Sequence, residues 1–233
     1  WTTADAEPLI PQTALMGMSK PMVMDGIDDV VTCGSGISEA HSAQTTWSAW
    51  VNCVDNGSPS IQGIIGNGSV SNNTHRLQIS ANKFQYLYGN NSATAKNISS
   101  DANVTENALN HVLVTRSVSE GDTTIKMYVN GALQSDTDTS TYTLNTNGDN
   151  DVILGWVNST RYFNGIINEV AVWNEALTLA EIQAIFNDGV ALDVSSDSGD
   201  YASSGDLVGY WRNDGASTWS NKVLTSNVVT INE

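Results

Sequence analysis

The side chains best suited to chemistry fall into two groups. Trp156, Asn158, Arg161 and Tyr162 crowd into the loop-like stretch GWVNSTRYFNG, residues 155–165. Indole and phenol rings can stack on the C–H faces of a sugar while an amide and a guanidinium bond its hydroxyls, so this group points to glycan binding. Tyr86 and Tyr88 stand two apart in KFQYLYG, on one face of a strand, where they would extend such a platform. The competing reading is that Tyr162 and the adjoining Phe163 only pack. The second group is acidic. Asp25, Asp28 and Asp29 in DGIDD set hard oxygen ligands on a turn, the donor type that suits Ca²⁺. The alternative is a plain turn whose carboxylates accept backbone N–H groups.

Other chemistries find little support. His41, His75 and His111 are scattered, no Ser or Cys sits in a nucleophile elbow, and no glycine loop resembles a phosphate cradle. Cys33 and Cys53 each end a strand-like run, DDVVTC and WSAWVNC, and read as small buried hydrophobes or as one bridge between neighbouring strands. The formal net charge is −16, from 25 Asp plus Glu against 9 Lys plus Arg. A field of that sign repels phosphate backbones and anionic membrane surfaces, which argues against nucleic acid and membrane partners. No apolar run is long enough to insert in a bilayer.

The elements that must position these residues are mostly strands. Short runs such as TTWSAWVNCV, HRLQISA, HVLVTRSV and DVILGWV are bounded by turn residues. Turns recur every ~8–12 residues, as in a sandwich or barrel. In IKMYVNGALQ, Ile125, Met127 and Val129 alternate with Lys126 and Tyr128, and Asn130–Gly131 suits the positive φ values of a type I′ hairpin. SEGD at 119–122 closes the preceding hairpin. GIINEVAVW is apolar in both registers, which predicts a strand covered on both faces. TLAE then opens one short helix near 178–188. Thr178 and Glu181 form a capping box, Ile182, Ile185 and Phe186 make an apolar face, and Gly189 is a C-terminal stop. A helix that short must be docked, and covering an open end of the core is its expected role.

In sum, residues 1–20 read as an extended N-terminal segment, 21–190 as the sandwich, and 191–233 as a linker with a strand-forming C-terminal extension that packs on the sandwich or starts a further domain. Trp47, Trp50 and Trp173 are assigned to the core.

YFNGIINEVAVWNEALTLAEIQAIF resembles the closing signature of laminin-G-like domains of the concanavalin A-like lectin/glucanase superfamily. Upstream, MDGIDDVV, TTWSAWV, LNHVLVTR and MYVNGAL are similar to further family segments in the same order. The resemblance spans roughly residues 22–189 and implies an all-β fold, a concanavalin A-like jelly-roll sandwich of two antiparallel sheets. It places a structural histidine at His111. It also implies a possible structural Ca²⁺ at Asp25, Asp28, Asn168 and Glu169, where Asn168 takes an acidic family position and so drops a charge. The pentraxin calcium position is occupied by Trp156, Val157 and Asn158, so that site is expected to be absent. Glucan-cleaving members carry a Glu-x-Asp-x-Glu strand, and no such triplet occurs here.

The expected function is therefore non-catalytic. The linker-like tail, SGDYASSGDLVGYWRNDG, is similar to segments joining laminin-G-like domains in marine bacteriophage virion proteins. A binding or decoration module on a virion or other extracellular assembly follows, recognising glycans or neighbouring subunits and oligomeric within that assembly. The alternative is a secreted bacterial lectin-like domain of an adhesin or carbohydrate-active enzyme.

Overall fold

The computed structural model describes residues 21–33, 44–55, 60–66, 75–88, 96–140, 152–157, 160–212, 220–221 and 230–232. Fifteen strands form two antiparallel sheets. In chain order they are β1 (Met22–Asp25), β2 (Val30–Thr32), β3 (Thr45–Cys53), β4 (Ile61–Gly66), β5 (His75–Ser80) and β6 (Lys83–Tyr88). There follow β7 (Lys96–Ser99), β8 (Leu109–Ser119), β9 (Asp122–Val129), β10 (Ala132–Ser140) and β11 (Ile153–Leu154). The last four are β12 (Asn164–Trp173), β13 (Leu207–Arg212), β14 (Ser220–Asn221) and β15 (Thr230–Asn232). Sheet I has the order β10-β9-β8-β3-β12-β13-β14, with β1 also paired to β12. Sheet II has the order β15-β2-β11-β4-β5-β6-β7. This is the expected two-sheet jelly roll.

Alternation along the strands decides what lies between the sheets. Trp47, Val51, Val112, Val114, Val170, Val172 and Trp211 of sheet I meet Ile65, Leu77, Ile79, Phe84 and Tyr86 of sheet II in one core. Both hairpins take the predicted backbone: Asn130 and Gly131 have φ of 50° and 74°, and Glu120 and Gly121 have 54° and 91°. Cys33 and Cys53 are both buried, and no disulfide joins them. Arg116 is also wholly buried, with its Nη1 3.2 Å from His75 Nδ1.

The remaining apolar surface of sheet I is covered from outside. Helix α1 (Leu179–Phe186) carries the predicted capping box: the Glu181 N–H donates to Thr178 Oγ1 at 3.3 Å, and the Thr178 N–H donates to Glu181 Oε2 at 3.0 Å. It ends earlier than expected, in a left-handed turn at Asn187 and Asp188 (φ 45° and 52°), before Gly189 is reached. Nor does it plug an end of the core. Ile182 and Ile185 lie on the outer face of sheet I with Leu113, Tyr128, Ala171, Trp173, Tyr201 and Tyr210, as a second apolar cluster. Phe186 stacks on Trp50 with centroids 5.9 Å apart, and Trp50 stacks on His111 at 4.9 Å. Trp50 and Trp173 are thus buried beneath the helix side, while Trp47 lies between the sheets. His111 is held by Ser48 Oγ at 2.7 Å, and burial pushes its pKa down to about 3.

Thr178→Ala should cost about 1 kcal/mol by removing one side of the capping box, lowering the melting temperature by roughly 2–4 °C for a chain of this size. Differential scanning calorimetry measures it; an unchanged transition would mean that packing alone holds α1.

Candidate functional site

The loop that follows β11 lies across the outer face of sheet II. Its start is bonded to β4, with the Gly155 N–H donating to the Ile64 carbonyl at 3.1 Å and the Gly63 N–H to the Arg161 carbonyl at 3.2 Å. Its two arms pair through an antiparallel bridge between Trp156 and Tyr162, and the Phe163 N–H donates to the Gly155 carbonyl at 2.8 Å. Phe163 itself is buried in the core and anchors the loop. The close approach depends on Gly63: a Cβ there would lie 2.6 Å from the Trp156 carbonyl carbon and from the Val157 nitrogen. Trp156, Arg161 and Tyr162 remain partly exposed. Asn158, the fourth residue expected in the loop, lies outside the described residues.

The same face offers a row of polar groups beside the loop. Leu77, Ile79, Phe84 and Tyr86 point into the core, so Arg76, Gln78, Gln85 and Leu87 point out. Gln78 Nε2 donates to Gln85 Oε1 at 2.7 Å, and Gln85 Nε2 to Asn97 Oδ1 at 3.4 Å, which carries an amide ladder across β5, β6 and β7. Gln78 is buried and its Oε1 has no hydrogen-bond partner. Burial lowers the pKa of Arg76, and the nearby Arg161 charge lowers it further.

None of these sheet residues was expected from sequence. Two signals could have found them. HRLQIS and KFQYLY alternate, with Arg76, Gln78, Lys83 and Gln85 opposite the apolar positions. In addition, no Asp or Glu occurs between Asp55 and Asp101 in this strongly acidic chain.

Tyr86 and Tyr88 must be removed from the candidate site. They share a strand face as expected, but it is the inner one. Their exposures are 1% and 0%, and their rings stack on each other at 5.7 Å. Tyr86 also meets Trp47 edge-on at 5.8 Å, and the Tyr88 hydroxyl donates to Asp138 Oδ2 at 2.7 Å. Phe84 has the same parity, so three aromatic rings of β6 serve the core.

The four residues expected to hold Ca²⁺ are also divided. Asp25, Asp28 and Asp29 do converge, with one oxygen from each within 4.8 Å of the others. Two of these carboxylates already serve the turn: Asp25 Oδ1 accepts the Ile27 N–H and Asp29 Oδ2 the Asp25 N–H, both at 2.8 Å. Asp25 pairs with Asn164 on β12, four residues before Asn168 and hence about 13 Å from it along a strand. Asn168 and Glu169 are buried on the opposite stretch of that strand and cannot join the turn. The Asn168 side chain has no hydrogen-bond partner. Glu169, at φ 48°, meets the Tyr210 hydroxyl and Arg212 Nε, the latter at 3.1 Å. Burial raises its pKa to about 7 against the pull of Tyr210 and Arg212.

This sandwich has recognisable relatives. The chain belongs to the concanavalin A-like lectin/glucanases superfamily: its residues 25–183 match the Laminin_G_3 family. No curated protein matches it in sequence. Similar solved structures include a candidate carbohydrate-binding protein of Bacteroides ovatus ATCC 8483, at 18% identity and a TM-score of 0.65. That alignment covers 92% of this chain but only 60% of the longer B. ovatus protein. The CBM40 module of Ruminococcus gnavus IT-sialidase, bound to α2,3 sialyllactose, is similar at 19% identity and TM-score 0.53, over 72% of this chain and 98% of that one. Domain 4 of AbnA, an extracellular arabinanase of Geobacillus stearothermophilus in complex with arabinotriose, gives 17% and 0.56 over 72% and 76%. At these identities the likeness establishes the fold alone.

Glu169 makes stability depend on pH with a definite sign. Held at about 7 when folded and at its ordinary 4.5 when unfolded, it keeps a proton in the folded state alone between those values. Its contribution is therefore largest at the acid end and is lost as pH rises through about 7, at up to about 1.4 kcal/mol per pH unit. Buried His111, at about 3 against 6.5, gives the opposite slope below 6.5, so a difference is needed. The stability of the parent minus that of Glu169→Gln should fall between pH 5 and 7.5 in urea titrations. A difference that stays flat would mean Glu169 is ionised throughout.

Proposed function

We propose that this chain is a non-catalytic glycan-binding module, and that the outer face of sheet II beside the Trp156 loop is its binding surface. The observation that carries the reading is the seating of that loop over Gly63, which holds Trp156 and Tyr162 next to an amide ladder. Rings of this kind stack on sugar C–H surfaces, and Gln85 and Asn97, held in line by the buried Gln78, supply donors and acceptors for hydroxyls. Hydrolysis has no support on this face. Strands β4 to β7 contain no Asp or Glu, so the paired carboxylates of a glycosidase are missing.

The module would sit on a virion or other extracellular assembly, attaching it to glycans or to neighbouring subunits. The acid-rich, lysine-poor composition fits a salty exterior, and no described helix is long and apolar enough to cross a membrane. The alternative is a lectin-like domain of a bacterial adhesin or carbohydrate-active enzyme. The likeness to modules of a sialidase and an arabinanase favours it. A Ca²⁺ would be a structural ion held by Asp25, Asp28 and Asp29 at the end of β1, without Asn168 and Glu169.

Trp156→Ala should reduce retention on a glycan array roughly two- to tenfold, through loss of one stacking surface worth about 0.5–1.5 kcal/mol, while shifting the melting temperature by no more than a few degrees. Equal retention by the two proteins would remove the loop from consideration. For the turn, millimolar Ca²⁺ should raise the melting temperature relative to EGTA, and Asp28→Asn should abolish that rise. Identical transitions in Ca²⁺ and EGTA would leave a turn stabilised by its own N–H bonds.

A further inference from the structure

The outer face of sheet II differs in charge from the rest of the molecule. Two of the nine basic residues, Arg76 and Lys83, take the outward parity of β5 and β6, and Arg161 comes over β4 from the loop, whereas Lys96 on β7 is the register partner of Tyr88 and shares its inward parity. Strands β4 to β7 carry no acid at all. Lys96 pairs with Asp138 at 3.4 Å, and Lys83 donates to the Asp101 carbonyl at 3.0 Å. Arg76 and Arg161 differ: among the described residues neither guanidinium has a hydrogen bond or an ion pair. Arg76 Nε is moreover buried without an acceptor.

Two neighbouring guanidinium groups with no counter-charge are unfavourable in the free protein. The Arg161 carbonyl is bonded to the Gly63 N–H of β4 at 3.2 Å, and Gly63 pairs with Gln78, two residues along β5 from Arg76. The two arginines therefore lie on the same patch, where burial and the Arg161 charge both disfavour the charged form of Arg76. Neither can shed its proton at any ordinary pH. The surroundings do not relieve them. Gly66, the partner of Arg76 on β4, has no side chain, and Leu87, its partner on β6, is apolar. Next along β5 stands Gln78, buried, with an unused Oε1. The arrangement has donors in excess, which matches an acidic sugar better than a neutral one.

We propose that the glycan bound by this face is anionic, with a carboxylate or sulfate of the sugar docking between Arg76 and Arg161. This rests on the glycan reading of the same face. Guanidinium forks bond either group in bidentate fashion, and the bonds are stronger for being charged at both ends. Trp156 and Tyr162 would then stack on the ring while the amide ladder reads its hydroxyls. A sugar with one or two charges suits the face better than a polyanion, because the net charge of −16 repels an extended chain of charges.

Matched probes test this. Sialyllactose and its neutral sialyl methyl ester provide the carboxylate comparison, and a galactoside with and without a sulfate ester provides the other. Binding is measured by titration calorimetry at 25, 150 and 500 mM NaCl. At least one acidic member should bind tenfold or more tightly than its neutral partner at low salt, with the gap shrinking as salt rises. Arg76→Gln and Arg161→Gln should each reduce the gap severalfold and leave the melting temperature within a few degrees. Whichever acidic member is preferred identifies the anionic group. Neutral and acidic partners binding alike, or a preference untouched by both substitutions, would overturn the anionic assignment and leave glycan binding intact. If a wider glycan array also retains nothing, the glycan reading of the face falls with it.

Discussion

Because β12 carries apolar side chains to both sides, Ile167, Val170 and Val172 inward and Ala171 and Trp173 outward, one partner sheet cannot keep it from water. The chain must build a second layer over sheet I, and much of what lies beyond the central strands does so. Helix α1 contributes Ile182 and Ile185, the segment before β13 contributes Val194 and Tyr201, and β13 adds Leu207 and Tyr210. Each buried side chain of this size is worth about 1.5–3 kcal/mol relative to exposure, so the layer is a large fraction of a domain's net stability. Polar groups inside it are matched: Trp173 Nε1 donates to the Tyr201 hydroxyl, which donates to the Val194 carbonyl, both at 2.9 Å. With one side of the sandwich thus closed, sheet II carries the broad face left uncovered among the described residues.

The most irregular point of the fold lies on that same strand. One edge of β12 pairs with β1 through Ile167 and with β13 from Val170 onward. Asn168 and Glu169 fall between the two partners, where neither reaches. On the other edge the pairing with β3 slips by one residue over this interval, with Asn168 opposite Trp50 and Ala171 opposite Ser48. An extra residue in one strand is a β-bulge, and the left-handed Glu169 supplies its bend. The bulge turns Glu169 toward Tyr210 and Arg212, which explains why a carboxylate lies among apolar residues.

Features carried by short spans of sequence were legible, and those set by long-range pairing were not. The capping box of Thr178 and Glu181, the Asn130–Gly131 hairpin and the doubly apolar β12 follow from neighbouring residues, and all appear as read. The position of α1 does not, because a helix with one apolar face fits an open end or a flat sheet equally well until the exposed side of Trp50 and Trp173 is known. Tyr86 and Tyr88 show a related limit. A period of two groups them without saying which way they point, although Lys83 and Gln85 on the opposite parity pointed to the answer. In the candidate loop, crowding in sequence singled out Trp156, Arg161 and Tyr162, which the structure places together. Arg76, Gln78 and Gln85 were missed because only the stacking of β11 and its loop on β4 brings them near Trp156.

The charge distribution reconciles two statements that look opposed. A chain with 25 acids and 9 bases should repel anions, yet its open sheet face is locally basic. Range separates the effects. At physiological ionic strength charges are screened over about 8 Å, so acids on the far side of the molecule contribute little at the surface of sheet II. On the proposed reading a ligand no larger than a few sugars would meet chiefly Arg76, Arg161 and Lys83. A long polyanion would also lie over the acidic surround and be repelled there. Removing every acid between Asp55 and Asp101, rather than adding many bases, is sufficient to create this local reversal. On the proposed reading such a face would discriminate by size as well as by charge, with the acidic surround supplying the discrimination.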